Sequence, residues 1–205
     1  MMKHYCMEFI GAFFLAMAVS FHGNPFAVGL MFMSMYYIGE SISGGYYNPI
    51  FAIAAWLRGA LAVEEMLIYS AVQIAGAFLA IWWYTAITKN IYMTDVTADM
   101  QLWMAVLLEL ILSAALALVF VSVATSKEFK GSVVNGAVIG LSLAGMLYMG
   151  GLYNPAIAAG ALLYQMFVAG GATIAGDVVA QYILGPILGA VVAAFTFDHL
   201  HPRGR

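Results

Sequence analysis

Two Asn-Pro pairs each follow a Gly-Gly, in Gly44-Gly45-Tyr46-Tyr47-Asn48-Pro49 and Gly150-Gly151-Leu152-Tyr153-Asn154-Pro155. Asn is a favoured N-cap and Pro a favoured first helical residue, so each hexamer reads as a loop that turns into a helix. The chemistry on offer is recognition without covalent steps. An amide side chain has two N–H donors and a carbonyl acceptor, and a helix N-terminus adds roughly half a positive elementary charge. The carbonyls of Gly44, Gly45, Gly150 and Gly151 add acceptors along the non-helical stretch. Such a lining suits a neutral hydrogen-bonding solute and opposes cations. Two carboxylates, Glu8 and Glu109, interrupt apolar runs. Inside a membrane an ionisable side chain is either a proton or ion carrier or an acceptor for buried loop backbone. The place of each carboxylate, well ahead of its own Asn-Pro, favours the acceptor role.

The surrounding elements are apolar enough to lie in lipid. Of 205 residues 64% are hydrophobic and 8% charged, and the mean hydropathy of +0.95 is that of a polytopic membrane protein. Long apolar segments run near residues 5–23, 25–43, 65–88, 101–124, 132–150 and 175–198. The stretches after the two Asn-Pro pairs, 50–57 and 156–164, are rich in alanine and fall short of the about 20 residues a spanning helix needs. They read as half-helices. Asn24-Pro25 lacks the Gly-Gly and opens a full-length segment, so it is read as a plain cap. Lys3 before an apolar run and Ala16-Met17-Ala18 resemble a signal peptide with its cleavage site, but Glu8 within that run favours a retained membrane helix.

Matched interrupted segments in two halves point to inverted repeats with a site near mid-membrane. The repeats are taken as residues 1–90 and 100–200 of one transmembrane domain spanning 1–205. Glu8-Phe9-Ile10 opens one and Glu109-Leu110-Ile111 the other, and the third helices align Ile74-Ala75-Gly76-Ala77-Phe78-Leu79 with Ile183-Leu184-Gly185-Pro186-Ile187-Leu188. Lys3, Arg58, Lys127, Lys130, Arg203 and Arg205 collect on one side and Lys89 on the other, which places both termini in the cytoplasm by the positive-inside rule. The half-helices then approach one point from opposite faces.

These residues resemble the major intrinsic proteins, the aquaporins and aquaglyceroporins. Ile42 to Ile50 is similar to their first signature loop and Gly151 to Ala156 to the second, and the ordered set adds Glu8, Glu109, Gln73 with Gly76, and Gly185-Pro186. The resemblance implies an all-α, aquaporin-like membrane fold of six transmembrane helices plus two re-entrant half-helices, a channel through each subunit, and a homotetramer. It implies a pore centre of Asn48, Pro49, Ile50, Asn154, Pro155 and Ala156, with pore-lining carbonyls at Gly44, Gly45 and Gly150. Water and small neutral solutes such as glycerol, urea, ammonia or hydrogen peroxide are the implied permeants. No cofactor is implied.

Two departures flank the motifs. Ile50 stands where the family usually has Ala, and Ile157 where it usually has the Arg of the outer selectivity filter. The second-helix filter position falls on Val28, with Phe26 close by. The fifth-helix position is open among Ser142, Met146 and Leu147, and Gly151 is the expected loop contributor. A filter of Val28, Leu147, Gly151 and Ile157 carries no charge and no evident aromatic narrowing, so it is expected to be wider and less selective. Tyr46 replaces a frequent His and is read as a lost pH-sensitive group or a packing residue, and Glu40 as a vestibule residue or a solvated helix end.

Other classes fit less well. A net charge of −3 gives no basic face for nucleic acid, and the single Cys6 permits no intrachain disulfide. His4, His22, His199 and His201 lack metal-ligand spacing, and no hydrolase, zincin, Walker or dinucleotide motif is present. Trp82, Trp83 and Trp103 read as interfacial anchors. A gradient-coupled transporter that uses Glu8 and Glu109 as ion ligands, and a non-conducting scaffold of the same fold, are the alternatives.

Overall fold

The computed structural model describes residues 2–21, 23–92, 100–126, 128–129, 131–170 and 175–201, and among these every regular element is helical. The first half holds α1 (Met2–Phe21), α2 (Pro25–Ser43), α3 (Pro49–Leu57) and α4 (Val63–Thr88). The second holds α5 (Leu102–Thr125), α6 (Asn135–Leu147), α7 (Pro155–Phe167), α8 (Gly176–Val179), a π turn (Ala180–Leu184) and α9 (Gly185–Leu200). The last three run on as one helical segment of 25 residues. By length and composition that segment, α1, α4 and α5 are apolar enough to cross a membrane. α2, at 19 residues, has nearly crossing length. Lys127, Lys130, Arg203 and Arg205, on which the charge-based orientation largely rests, and His22 lie outside the described residues.

Local chemistry sets the helix ends. Asn24 caps α2 by accepting from the Phe26 and Ala27 N–H groups, and Gly44, at φ 97°, closes it by donating to the Glu40 carbonyl at 3.0 Å. The stretch 132–150, expected as one long helix, is helical only over the 13 residues of α6, about 20 Å of rise. Its start is fixed by Asn135, whose side-chain N–H groups bond the Phe129 carbonyl at 2.8 Å and the Val123 carbonyl at 3.3 Å. Its end is fixed by Gly150 and Gly151, both at positive φ.

Pairs of long helices build the two halves. α1 packs along α4, α5 along α9, and α2 meets α6 between them. Each half-helix crosses to the other side: α3 packs on α9 and α7 on α4. Without a hydrophobic drive between helices in lipid, close approach of small residues supplies the packing. A Cβ at Gly29 would stand 2.7 Å from the Ala144 Cβ, and one at Gly140 would stand 3.0 Å from the Met33 Cβ. Arg58, at the C-terminal end of α3 where a cation is favoured, bonds Asp198 at 3.1 Å and Thr125 and lies over the Phe197 ring at 3.8 Å. That fixes the outer end of the half-helix to α5 and α9.

The register of the third helices differs from the sequence alignment by one turn. Gly76 lies against Phe9 and Phe13 of α1, and it is Gly189 that lies against Leu110 and Ala114 of α5, the same two places after Glu8 and Glu109. Gly185, which similarity pairs with Gly76, instead faces Val106 and the Cβ of Glu109. The structural counterpart of Gln73 is therefore Pro186, three residues before its glycine in the same way. Similarity of apolar text cannot fix helix register, because a shift of one turn keeps the same face buried.

One packing relation tests this core. Tyr47 is fully buried, its hydroxyl donates to the Met35 carbonyl at 2.8 Å, its ring occupies the space a Cβ at Gly11 would need, and its hydroxyl the space a Cβ at Gly39 would need. Gly11→Ala is expected to lower thermal stability in detergent by about 1–3 kcal/mol, the usual cost of overpacking. Adding Tyr47→Leu is expected to recover part of the loss. Strictly additive losses in the double variant would refute the contact.

Candidate functional site

The two Asn-Pro pairs form the N-termini of α3 and α7. Asn48 and Asn154 have extended backbones, at φ −154° and −139°, and each side-chain oxygen accepts from the N–H two residues on, Ile50 at 3.2 Å and Ala156 at 3.0 Å. Pro49 and Pro155 occupy the first helical position. The amide nitrogens then cross between the halves. Asn48 Nδ2 donates to the Tyr153 carbonyl at 2.8 Å and Asn154 Nδ2 to the Tyr47 carbonyl at 3.3 Å. Each Asn thus caps its own helix and ties down the loop of the other.

Buried carboxylates hold the same loops from behind. Glu8 accepts from the backbone N–H groups of Tyr46 at 3.1 Å and Tyr47 at 2.7 Å, from Ser43 Oγ at 2.6 Å and from Gln73 Nε2 at 2.8 Å. Glu109 accepts from the backbone of Leu152 at 2.6 Å and Tyr153 at 3.0 Å. The difference follows from the sequence once the register is known, since Pro186 and Met149 stand where Gln73 and Ser43 supply donors. Both carboxylates are fully buried, where an uncompensated charge would be costly.

Tyr47 and Tyr153 complete the support, and sequence reasoning passed over them. Both are fully buried at positive φ, 54° and 52°, a conformation L residues avoid. Their hydroxyls bond the Met35 and Met146 carbonyls. The signal was the shared Tyr-Asn-Pro of both hexamers. Tyr46 packs between Tyr69 and Phe120, with ring centroids at 5.5 and 5.1 Å.

A narrow cavity opens between the two asparagines and the ends of α1, α2 and α6. Leu15 and Val19 face it from α1, Val28 from α2, and Leu143 and Leu147 from α6. Leu152 and Ile157 close it from the second loop and α7, and Asn48 and Asn154 form its polar part. It offers about 10 Å³ to the centre of a water-sized sphere, about the room of one water. The greater width expected without an arginine or aromatic ring is absent, because four leucines fill the space. Gly151 is not among the residues around it: at φ 111° a Cβ at this position would point at Glu109 and the Tyr153 ring, and Leu152 faces the cavity instead. Ser142 and Met146 do not line it either, and Phe26 is 51% exposed. Ile50 and Ala156 are fully buried but outside the lining, and no structural contact assigns a direction to the Gly44, Gly45 and Gly150 carbonyls. Nothing in the sequence marked Leu15, Val19, Leu143 or Leu152, since leucine and valine are the common residues of any membrane helix.

The model of the family described as major intrinsic protein matches residues 1–197. The chain belongs to the major intrinsic protein family. It is 28% identical to Aquaporin AqpM of Methanothermobacter marburgensis over 87% of this chain and 78% of that one. It is 29% identical to the glycerol uptake facilitator protein-like 6 of Lactiplantibacillus plantarum over 95% and 96%. The aquaglyceroporin structure from Plasmodium falciparum superposes with a TM-score of 0.81 at 20% identity, covering 96% of this chain and 95% of that one, which shows the shared fold. This major intrinsic protein is accordingly a multi-pass membrane protein and a channel for water or small solutes, not an enzyme.

The unequal support of the two loops has a measurable consequence. A Gln at position 8 leaves two donors facing an amide nitrogen, and one at 109 leaves a single loop N–H so placed; each stranded donor costs about 1–3 kcal/mol. Glu8→Gln is expected to lower the unfolding midpoint more than Glu109→Gln. Equal shifts would contradict the hydrogen-bond asymmetry.

Proposed function

We propose that the chain conducts small neutral solutes passively, in single file past Asn48 and Asn154, with the aliphatic cavity beside them as its selectivity filter. The observation that supports this reading is the convergence of two capped half-helices on one cavity that both asparagines line. Opposed N-termini make that point unfavourable for cations and protons, and the amide N–H not used between the loops is a donor for a passing molecule. Val28, Leu147 and Ile157 act in the filter together with Leu152. The carbonyls of Gly44, Gly45 and Gly150 serve as acceptors along the path. Water, ammonia, hydrogen peroxide, urea and glycerol are the candidate permeants, and a space of one water ranks the smaller ones first. Both termini face the cytoplasm, and four subunits assemble, each with its own path.

A coupled transporter would need a carboxylate with a free oxygen for the coupling ion. Each oxygen of Glu8 already accepts two hydrogen bonds, whereas each oxygen of Glu109 accepts one loop N–H and keeps a second acceptor site, so Glu109 is the carboxylate such a transporter would have to use.

Reconstituted protein is expected to carry solute flux that follows the solute gradient alone. Dependence on an imposed proton or sodium gradient would favour the transporter, and normal assembly without flux the scaffold. Ile157→Arg is expected to lower flux at least about tenfold, which asks only about 1.4 kcal/mol of added barrier. Phe26→Arg, on the exposed side of α2, is expected to leave flux unchanged. Equal behaviour of the two variants would remove Ile157 from the path.

A further inference from the structure

The cavity beside the asparagines has a counterpart on their other side, and there the side chains are aromatic. Three pairs of anchors recur in the two halves: the buried carboxylates Glu8 and Glu109, the glycines Gly29 and Gly140, where a Cβ on either would meet the other's carbonyl, and the capping asparagines. Eleven residues on from the carboxylates stand Val19 and Phe120, and three on from the glycines stand Leu143 and Phe32. Two residues before the asparagines stand Leu152 and Tyr46, and three after them Ile157 and Phe51. The first member of each of these pairs lines the cavity. The second is a ring.

The four rings come from four separate stretches and meet one another. Phe51 and Phe120 stack face to face, with centroids 4.2 Å apart and planes within 4°. Phe32 meets Phe51 edge-on at 5.7 Å, and Tyr46 lies against Phe120 at 5.1 Å. Phe32 follows the cavity-lining Val28 by four residues on the same face of α2, about 6 Å further along the helix. Phe51 is in the first turn of α3 beyond Asn48. A path that passes the asparagines and leaves by the other end of the protein therefore meets this cluster next. Phe32, Phe51 and Phe120 are at most 1% exposed and Tyr46 8%, so the rings enclose no wetted passage. A hydrophobic constriction of this kind shuts by excluding water.

We infer that Phe32, Tyr46, Phe51 and Phe120 form an inner gate in series with the aliphatic filter, closed in this structure, and that solute passes only when the Phe51–Phe120 stack parts. The inference rests on the channel reading. The filter ranks the solutes, and the gate sets how much of the time any of them passes. Rings hold it shut where aliphatic side chains leave room in the outer cavity, because stacked aromatic pairs gain attraction beyond the area they bury.

The test uses the full chain in proteoliposomes, with assembly checked by size exclusion before reconstitution. Each ring is exchanged for the residue of its outer counterpart, in Phe120→Val, Phe51→Ile and Tyr46→Leu. Water permeability is read from vesicle shrinkage in sucrose, and proton leak from a trapped pH dye. Phe120→Val and Phe51→Ile are expected to raise water permeability at least about fivefold over the unsubstituted chain, the factor of about 1 kcal/mol, with proton leak unchanged. Phe195→Val, on an exposed face of α9, is expected to change neither. Tyr46→Leu gives the same readout where one of the others does not assemble. Permeability above that of protein-free vesicles but equal in the unsubstituted chain and the assembled variants, or raised only together with proton leak, would overturn the inference and leave the channel standing. Flux through the variants with none through the unsubstituted chain would show a permanent plug and overturn the parting of the rings. No flux through the unsubstituted chain or any variant would overturn the channel reading and the gate with it.

Discussion

The structure depends on satisfying non-helical backbone at a depth where no lipid can hydrogen-bond it. Two loops descend to the middle of the protein, and their N–H and carbonyl groups need partners from the protein itself. The solution is reciprocal. Asn48 and Asn154 cap their own half-helices and bond the carbonyl just before the other asparagine, while Glu8 and Glu109 accept the loop N–H groups from the long helices behind. Remove the loops and Glu109 is a buried charge without donors while Glu8 keeps only Ser43 and Gln73; remove the carboxylates and the loops carry bare N–H groups into an apolar interior. Neither half of that arrangement is stable alone, which is why it appears as a set.

The same requirement shapes the packing around it. Positive φ at Tyr47 and Tyr153 is a local strain held in place by full burial and by a hydroxyl bond to a neighbouring helix. Gly11 and Gly39 leave the volume that the Tyr47 ring and hydroxyl fill, and Gly29 and Gly140 let α2 and α6 approach closely. Half-helices that cross to pack on the long last helix of the opposite half join the two halves, so the cavity between the asparagines is a product of the whole chain.

The two Asn-Pro loops are built alike, each with an asparagine-capped half-helix and a tyrosine at positive φ, but they differ in chemistry. Glu8 has four donors and Glu109 two, since Gln73 and Ser43 have Pro186 and Met149 as counterparts. On the other side of the same loops, leucines and an isoleucine occupy the cavity. The first difference bears on how firmly each loop is held. The second makes the space beside the asparagines small and aliphatic.

Much of this was legible in the residues. Composition indicated a membrane protein, the two Asn-Pro pairs indicated the half-helices through capping and proline geometry, and the place of Glu8 and Glu109 favoured a role as acceptors for loop backbone, because these are local or motif-level constraints. Ile157 and Val28 were placed beside the cavity by counting from the motifs. What only the tertiary structure decided was which apolar side chains complete it. Leu15, Val19, Leu143 and Leu152 come together from four separate stretches, Leu152 displaces the expected Gly151, and Gly76 pairs with Gly189 in place of Gly185. The physical reason is common to all three: in a chain where nearly every position is apolar, identity carries little information about facing, and rotation, register and a single positive-φ glycine settle what lines the path.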